Sequence, residues 1–263
     1  RTAPPGQPAT ALSGQVGPYR IVRPVGAGGM GAVYEAIDTR TGARVAVKSL
    51  LRMGPAELHR FKYEFRSMAE VGHPNLVTLY ELSSHGDLWL IAMEFVEGTD
   101  LCAAIRALGG VEGGVQRLRA LVRQLAQGVA ALHDRGLLHR DLKPSNVLVT
   151  PAGRVVILDF GLVAEIARGG LHGETVGTPL YMSPEQCAGQ LATPASDWYA
   201  VGVMLYEALA GKLPFVGGYA QIFLAKQCEE PPPPPGLPAD LTALIAGLLR
   251  RDPERRATGA RVL

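Results

Sequence analysis

Cysteine is scarce. Cys102, Cys187 and Cys228 stand far apart in a chain of 263 residues, odd in number and outside any CxxC spacing. That excludes a disulfide framework or a zinc site of the usual ligand spacing, and a reducing cytoplasm is the expected setting. An excess of charge of either sign is also lacking. Lys and Arg total 26 against 24 Asp and Glu, a net +2, which gives no ground for a nucleic-acid or anionic-membrane partner. The densest basic group, Arg250, Arg251, Arg255 and Arg256, is interrupted by Asp252 and Glu254. Long apolar runs are missing. Trp198 to Leu213 contains Glu207 and two glycines, so it is too short and too polar to cross a bilayer, and no membrane segment is expected in this chain. Arg1 to Gly17 has no apolar core of a secretory signal. Internal repeats are absent.

What is present is a 47% apolar chain, enough for a substantial core in one or two domains. Residues 1–17 are rich in Pro, Ala, Gly, Gln and Thr and read as a flexible segment that buries too little to offset its ordering entropy. From Tyr19, short alternating or β-branched runs at Tyr19–Gly26, Ala32–Asp38 and Arg44–Leu50 predict an antiparallel meander punctuated by glycine. Pro55–Val71 has helical spacing, with Leu58, Phe61, Phe65 and Met68 on one face. Strands are predicted at Leu76–Leu82 and Leu88–Phe95. After Gly98 the pattern turns helical: Val115–Asp134 is a long amphipathic helix, Val147–Thr150 and Val155–Leu158 are short strands, and Val201–Leu209 is apolar enough for a central buried helix. The five prolines Pro231–Pro235 predict extended chain. They are read either as a loop between helices or as a ligand for a proline-reading domain.

Two features carry chemistry in the first part. Gly26-Ala27-Gly28-Gly29-Met30-Gly31-Ala32-Val33 is a glycine-rich loop in which backbone N–H groups can approach an anion without Cβ interference. A dinucleotide-binding unit would follow such glycines with a helix. Here Val33-Tyr34-Glu35-Ala36-Ile37-Asp38 follows, a strand, so the glycines sit at a hairpin tip. Taken alone, this also reads as an ordinary glycine-rich hairpin. The next strand, Val45-Ala46-Val47-Lys48, places a lysine among apolar residues, where its charge is costly unless paired. Glu64, between Phe61 and Met68 on the following helix, is the expected partner, and the pair would set the ammonium beside phosphates. A surface lysine on an edge strand is the alternative.

His139-Arg140-Asp141-Leu142-Lys143-Pro144-Ser145-Asn146, followed by Asp159-Phe160-Gly161, is the most specific signal in the chain. Together with the glycine-rich hairpin and Val-Ala-Val-Lys48, it resembles the protein kinase family over Tyr19 to Leu263. The resemblance implies an α+β, bilobal protein-kinase-like fold. The N-lobe (about 18–96) would be an antiparallel sheet plus one helix, the C-lobe (about 97–263) mainly helical, with ATP in the cleft. It implies catalytic roles for Asp141, Lys143, Lys48 and Glu64. Asp141 would accept or orient the proton of the incoming hydroxyl, and Lys143 would neutralise charge on the γ-phosphoryl group. Asn146 and Asp159 would hold Mg²⁺, with Mn²⁺ as an alternative, because the ion prefers hard oxygen ligands. The ATP site would comprise Val25, Gly26, Ala27, Gly28, Gly29, Met30, Gly31, Ala32, Val33, Ala46, Lys48, Met93, Glu94, Val96 and Leu148. In it Met93 is the gatekeeper, the backbones of Glu94 and Val96 meet the adenine, and Val33, Ala46 and Leu148 sandwich the ring. Met68, Leu79, His139 and Phe160 would stack between the lobes, and each reads equally as plain core.

Lys143, Leu162 and Gly177-Thr178-Pro179 are similar to the Ser/Thr branch, so protein Ser/Thr hydroxyls are the expected acceptors. Asp159 to Glu185 would be the activation segment, ending Ser183-Pro184-Glu185 where Ala-Pro-Glu is commoner. Glu185 would pair with Arg256, beside Ala257 where the family usually has proline. Asp197 would cap the catalytic-loop backbone. Arg140 before Asp141 makes Thr175 the candidate activating phosphosite; a constitutively ordered loop is the other reading. The wording of the glycine loop and Tyr181-Met182-Ser183-Pro184-Glu185-Gln186 is similar to the bacterial branch, which adds a homodimer for autophosphorylation as an expected partner. A nucleotide-binding module without transfer is disfavoured because Lys48, Glu64, Asp141, Asn146 and Asp159 are all present. A small-molecule kinase is disfavoured by the Gly-Thr-Pro and Ser-Pro-Glu segment.

Overall fold

The computed structural model describes residues 12–28, 31–50, 55–86, 88–109, 111–159, 179–259 and 262. The chain divides into two units, Arg1–Gly72 with Val77–Val96, and His73–Leu76 with Glu97–Leu263.

The first unit is built on strands β1 (Gln15–Val16), β2 (Tyr19–Gly28), β3 (Gly31–Asp38), β4 (Arg44–Leu50), β5 (Leu79–His85) and β6 (Leu88–Glu94), with helix α1 (Pro55–Ala69) after β4. They form one antiparallel sheet in the order β1-β2-β3-β4-β6-β5. Period-two alternation sorts the side chains. Tyr19, Ala36, Val45, Val47, Leu90 and Ala92 form a buried cluster. The opposite face carries Val33 opposite Lys48, and Ala46 opposite Met93. The sheet curls, because side chains from two non-neighbouring strands meet. Arg40 Nη2 binds Asp38 Oδ2 at 2.8 Å and Glu81 Oε2 at 2.7 Å, and the Tyr19 hydroxyl donates to Glu81 at 3.0 Å. Within the segment read as flexible, Gln15 and Val16 pair with Arg20 and Tyr19. The open edge of β2 offers backbone partners that composition does not reveal.

The second unit contains β7 (Thr99–Asp100), α2 (Leu101–Arg106), α3 (Val111–His133), a 3-10 turn at Pro144–Asn146, β8 (Val147–Val149) and β9 (Val155–Ile157). Helices α4 (Pro184–Cys187), α5 (Pro194–Ala210), α6 (Tyr219–Cys228) and α7 (Ala239–Leu248) follow. Strands β7, β8 and β9 make a small antiparallel sheet. Helix α5 is the axis of the core, buried at nearly every position from Ala195 to Tyr206. Gly202 lets α7 approach closely, since a Cβ there would stand 2.8 Å from Leu248 Cβ. Pro231–Pro234 lie outside helix and strand, with a turn at Pro235–Gly236. No helix among the described residues is long and apolar enough to cross a membrane.

Three predicted elements shift, one of them the helix predicted at Val115–Asp134, which is α3 and begins earlier, at Val111. The strand predicted at Leu76–Leu82 is β5, displaced to Leu79–His85. Leu76 instead bridges Ile157, because Asn75 Nδ2 donates to Val155 O at 2.8 Å and the Ile157 N–H donates to Asn75 O at 2.9 Å. The buried helix predicted at Val201–Leu209 begins earlier, at Pro194, where Ser196 Oγ accepts the Thr193 N–H at 3.0 Å. It ends at Gly211, whose φ of 70° closes it.

Candidate active site

The first unit presents one chemically distinctive sheet face. Val33, Ala46, Lys48 and Met93 share it by register, and Ala46, Lys48 and Met93 are buried. A lysine only 7% exposed inside a strand is a costly placement that structure alone does not require. Glu64 is half-buried on α1 between buried Phe61 and Met68. Strands β2 and β3 pair from Tyr19–Asp38 to Gly28–Gly31, so a strand and not a helix follows the glycines. Gly31 is obligatory: its φ is 136°, and a Cβ would lie 1.9 Å from Ser49 O. Ser49 also anchors the hairpin base, its hydroxyl accepting from Ala32 N at 3.2 Å and donating to Ala32 O at 3.1 Å. Val25 is half exposed. The Glu94 N–H donates to Thr78 O at 2.8 Å, and Val96 directly follows Phe95, whose ring lies 4.1 Å from the Arg44 guanidinium.

The second unit holds the loop His139–Asn146 through its backbone. Buried Asp197, in the first turn of α5, accepts His139 N–H through Oδ2 and Arg140 N–H through Oδ1, both at 2.8 Å. His133 Nε2 lies 2.9 Å from the same Oδ2. These bonds hold Arg140 at a φ of 67°, a conformation a non-glycine residue keeps only when its surroundings enforce it. The His139 ring is fully buried. Its Nε2 donates to Leu158 O at 2.8 Å and its Nδ1 accepts the Asp141 N–H at 3.3 Å, a bonding pattern that assigns a neutral ring. Burial accordingly pushes its pKa down, against the pull of Asp197.

Asp141, Lys143 and Asn146 converge. Lys143 Nζ sits 2.7 Å from Asp141 Oδ2, each side chain about a quarter exposed. Asn146 Nδ2 donates to Asp141 O at 2.8 Å and faces Oδ2 at 3.4 Å. Leu158 N–H donates to Asn146 O at 2.8 Å, which ties the loop to the chain entering Asp159, itself at a φ of 51°. The Asn146 amide is thereby turned with its nitrogen toward Asp141 and its oxygen available as a hard donor. The Asn146 amide oxygen and the Asp159 carboxylate are hard donors of the type a divalent cation would take beside phosphate and water. No group of three or more His, Cys, Asp or Glu suited to an all-protein metal site occurs among the described residues. Leu148 lies in β8, half-buried.

Beyond the loop, Glu185 and Arg256 form a two-pronged ion pair at 2.7 and 2.9 Å. Burial raises the Glu185 pKa, but the Arg256 hydrogen bonds and charge outweigh it and hold the carboxyl below its usual range. Three contributors carry weak sequence signals. Ser49 has none beyond its strand. His133 stands at the end of a predicted helix. Lys226, directly after the apolar run Ile222–Ala225 of α6, is 1% exposed; its spacing from Ile222 puts it on the buried face, which is the one clue the sequence offered. Gly29, Met30, Phe160, Gly161, Leu162, Thr175, Gly177 and Thr178 lie outside the described residues, as do residues 1–11 and the side chains of Ala27 and Gly28.

A glycine hairpin over a strand lysine, and an aspartate–lysine–asparagine loop held by a buried aspartate, define a protein kinase. The protein kinase domain family matches residues 19–263, and the chain belongs to that family. It is similar to the serine/threonine-protein kinase PknA of Mycobacterium tuberculosis, 37% identical over 252 residues that cover 91% of this chain and 58% of that protein. It is also similar to the serine/threonine-protein kinase PrkC of Bacillus subtilis, 34% identical across 91% of this chain and 38% of PrkC. With pkn2 of Myxococcus xanthus it shares 38% identity across 94% of this chain and 32% of that protein. The chain therefore spans between about a third and three fifths of the length of these curated relatives.

Proposed function

We propose that this domain is an ATP- and Mg²⁺-dependent kinase that phosphorylates Ser and Thr hydroxyls of proteins, its own chain included, in bacterial signalling. The convergence of Asp141, Lys143 and Asn146 on a loop held by Asp197 carries this reading. Phosphoryl transfer needs positioning and charge stabilisation more than covalent help from the protein. Asp141 takes the hydroxyl proton as the acceptor oxygen bonds to the γ-phosphorus and the bond to ADP breaks. Lys143, beside Asp141, balances negative charge on the phosphoryl oxygens. Lys48, oriented by Glu64, binds the α- and β-phosphates, and the glycine hairpin covers them. Asn146 and Asp159 would hold Mg²⁺, or Mn²⁺ on the same donors, which would supply charge neutralisation when bound. Val33, Ala46 and Leu148 take the adenine ring, beside Met93 and the backbones of Glu94 and Val96. Thr178 is assigned to the acceptor side and Thr175 to activating phosphorylation, with a second copy of the domain as the phosphorylating partner. The cytoplasm supplies the ATP.

The test is transfer of label from ATP with Mg²⁺ to the domain and to a generic basic protein, with phosphoamino-acid analysis, beside Asp141→Asn. Expected is phosphoserine or phosphothreonine in the wild type and a loss of at least about a hundredfold in the variant. Nucleotide binding with no transfer by the wild type, even carrying an acidic substitution at Thr175, would sink the proposal.

A further inference from the structure

The backbone that follows Thr178 is held by an unusual device. Lys226, on the buried face of α6, is 1% exposed. Its ammonium donates to three main-chain carbonyls: Pro179 O at 3.1 Å, Leu180 O at 2.8 Å and Met182 O at 2.6 Å. Lysine has three N–H donors and no acceptor, so one side chain satisfies three carbonyls that a non-repetitive segment would otherwise leave buried and unpaired. The ring of Tyr199 lies 5.6 Å from Nζ, within cation–π range. The next residue repeats the pattern, Gln227 Nε2 donating to Pro184 O at 2.5 Å. Among the described residues no carboxylate forms an ion pair with Lys226. A buried cation without a counter-ion is expensive, and its cost is visible: burial lowers the Lys226 pKa to about 8, with Cys187 pulling the other way. An apolar side chain would fill the same space without that penalty. The ammonium is therefore needed for its donors.

What the segment borders gives the arrangement a purpose. Tyr181, Met182 and Gln186 line one small cavity together with Arg140, Asp141 and Asp197. Tyr181 is fixed in turn by its hydroxyl donating to Glu207 Oε2 at 2.7 Å. The backbone gripped by Lys226 thus abuts the loop that carries Asp141. We infer that Lys226 is a positioning residue for the protein acceptor: it sets the shape of Pro179–Met182, the platform on which the polypeptide around the acceptor hydroxyl rests beside Asp141. This rests on the kinase reading above, which puts Thr178 on the acceptor side, and adds the side chain that shapes the backbone after it.

The experiment compares the wild type with Lys226→Met, which keeps length and packing while removing the donors, and Lys226→Arg, which keeps the charge. Three quantities are read: the KM for a generic basic protein substrate, the KM for ATP, and ATP hydrolysis without a protein acceptor. Expected for Lys226→Met is a rise in protein KM of about tenfold or more, with the ATP KM and hydrolysis within about twofold of wild type. Lys226→Arg recovers part of the protein KM. An unchanged protein KM in Lys226→Met overturns the inference, and so does a parallel loss of all three quantities, which marks a merely structural lysine. Where Lys226→Met does not fold, Lys226→Gln takes its place, with the protein KM rising in the order wild type, Arg, Gln; equal values refute the inference. A wild type that transfers phosphate while the variants match it refutes the inference alone. A wild type that neither transfers nor hydrolyses removes the kinase reading and the inference with it.

Discussion

Glu185 and Arg256 are 7% and 2% exposed, and at that depth a charge survives only through its partners. Arg256 has them: besides Glu185 it donates to the carbonyls of Ala195, Arg250 and Arg251 at 2.8 to 3.0 Å, and its guanidinium lies 5.0 Å from the Tyr199 ring. Glu185 also accepts from Ser196 Oγ at 2.8 Å. Glu185→Gln leaves the guanidinium buried against a neutral amide, at a cost of about 3–5 kcal/mol, or on the order of 10 °C in Tm for a chain of this size. The pH dependence has a definite sign. The folded-state pKa of Glu185 is lowered, so the pair's contribution is complete above the ordinary glutamate value of about 4.3. It is lost as the pH falls through the lowered value. Thermal melts of wild type and Glu185→Gln are expected to differ by a constant gap from about pH 8 to pH 5 that closes below about pH 4. A gap that widens on acidification would show that another group dominates.

Elements carry the site through their ends and registers. The β2–β3 hairpin is placed by two residues on different strands: Gly31, whose missing side chain admits Ser49 O, and Ser49, whose hydroxyl bonds both the N–H and the C=O of Ala32. Gly31→Ala forces a strained φ and a backbone collision together. A cost of about 1–3 kcal/mol, expressed mainly in nucleotide binding, raises the ATP KM on the order of tenfold. Ser49→Ala removes only the hydroxyl bonds and is expected to raise it about two- to threefold. Steady-state kinetics at saturating protein substrate separate these effects; a Gly31→Ala enzyme with the wild-type ATP KM would mean that the hairpin base does not position the phosphates. The glycines and the strand after them were legible because their reason is local. The Gly31–Ser49 contact was not, since it depends on how β3 and β4 register. The same limit displaced the strand predicted at Leu76–Leu82: alternation of apolar residues does not reveal that the Asn75 side chain reaches Val155 O and draws Leu76 into the other unit.

At the scale of the whole chain, Asp141, Lys143 and Asn146 were singled out through the kinase resemblance of one short segment, and the structure brings their side chains together. Glu185 and Arg256 could be paired only through the family resemblance, and Lys226 went unread because the three carbonyls it binds lie more than forty residues upstream. The three cysteines sample the second unit at graded depths and make its stability measurable. Cys102 is 1% exposed on α2, its thiol 3.5 Å from Met204 O on α5. Burial, with the charges of Glu207 and Asp100, pushes its pKa up to about 12, so it is a poor nucleophile even where a reagent reaches it. Cys187 on α4 is half-buried and Cys228, at the end of α6, is exposed. A disulfide reagent at neutral pH is expected to label Cys228 at once, Cys187 more slowly, and Cys102 only when the unit opens. Mass spectrometry of tryptic peptides assigns each rate. Glu185→Gln should then speed Cys102 labelling by the factor that its loss of stability predicts, on the order of a hundredfold for about 3 kcal/mol, while leaving Cys228 unchanged. If Cys102 labels as fast as Cys228 in the wild type, α2 opens from α5 locally; if Glu185→Gln changes neither rate, the ion pair does not stabilise the unit that holds the catalytic loop.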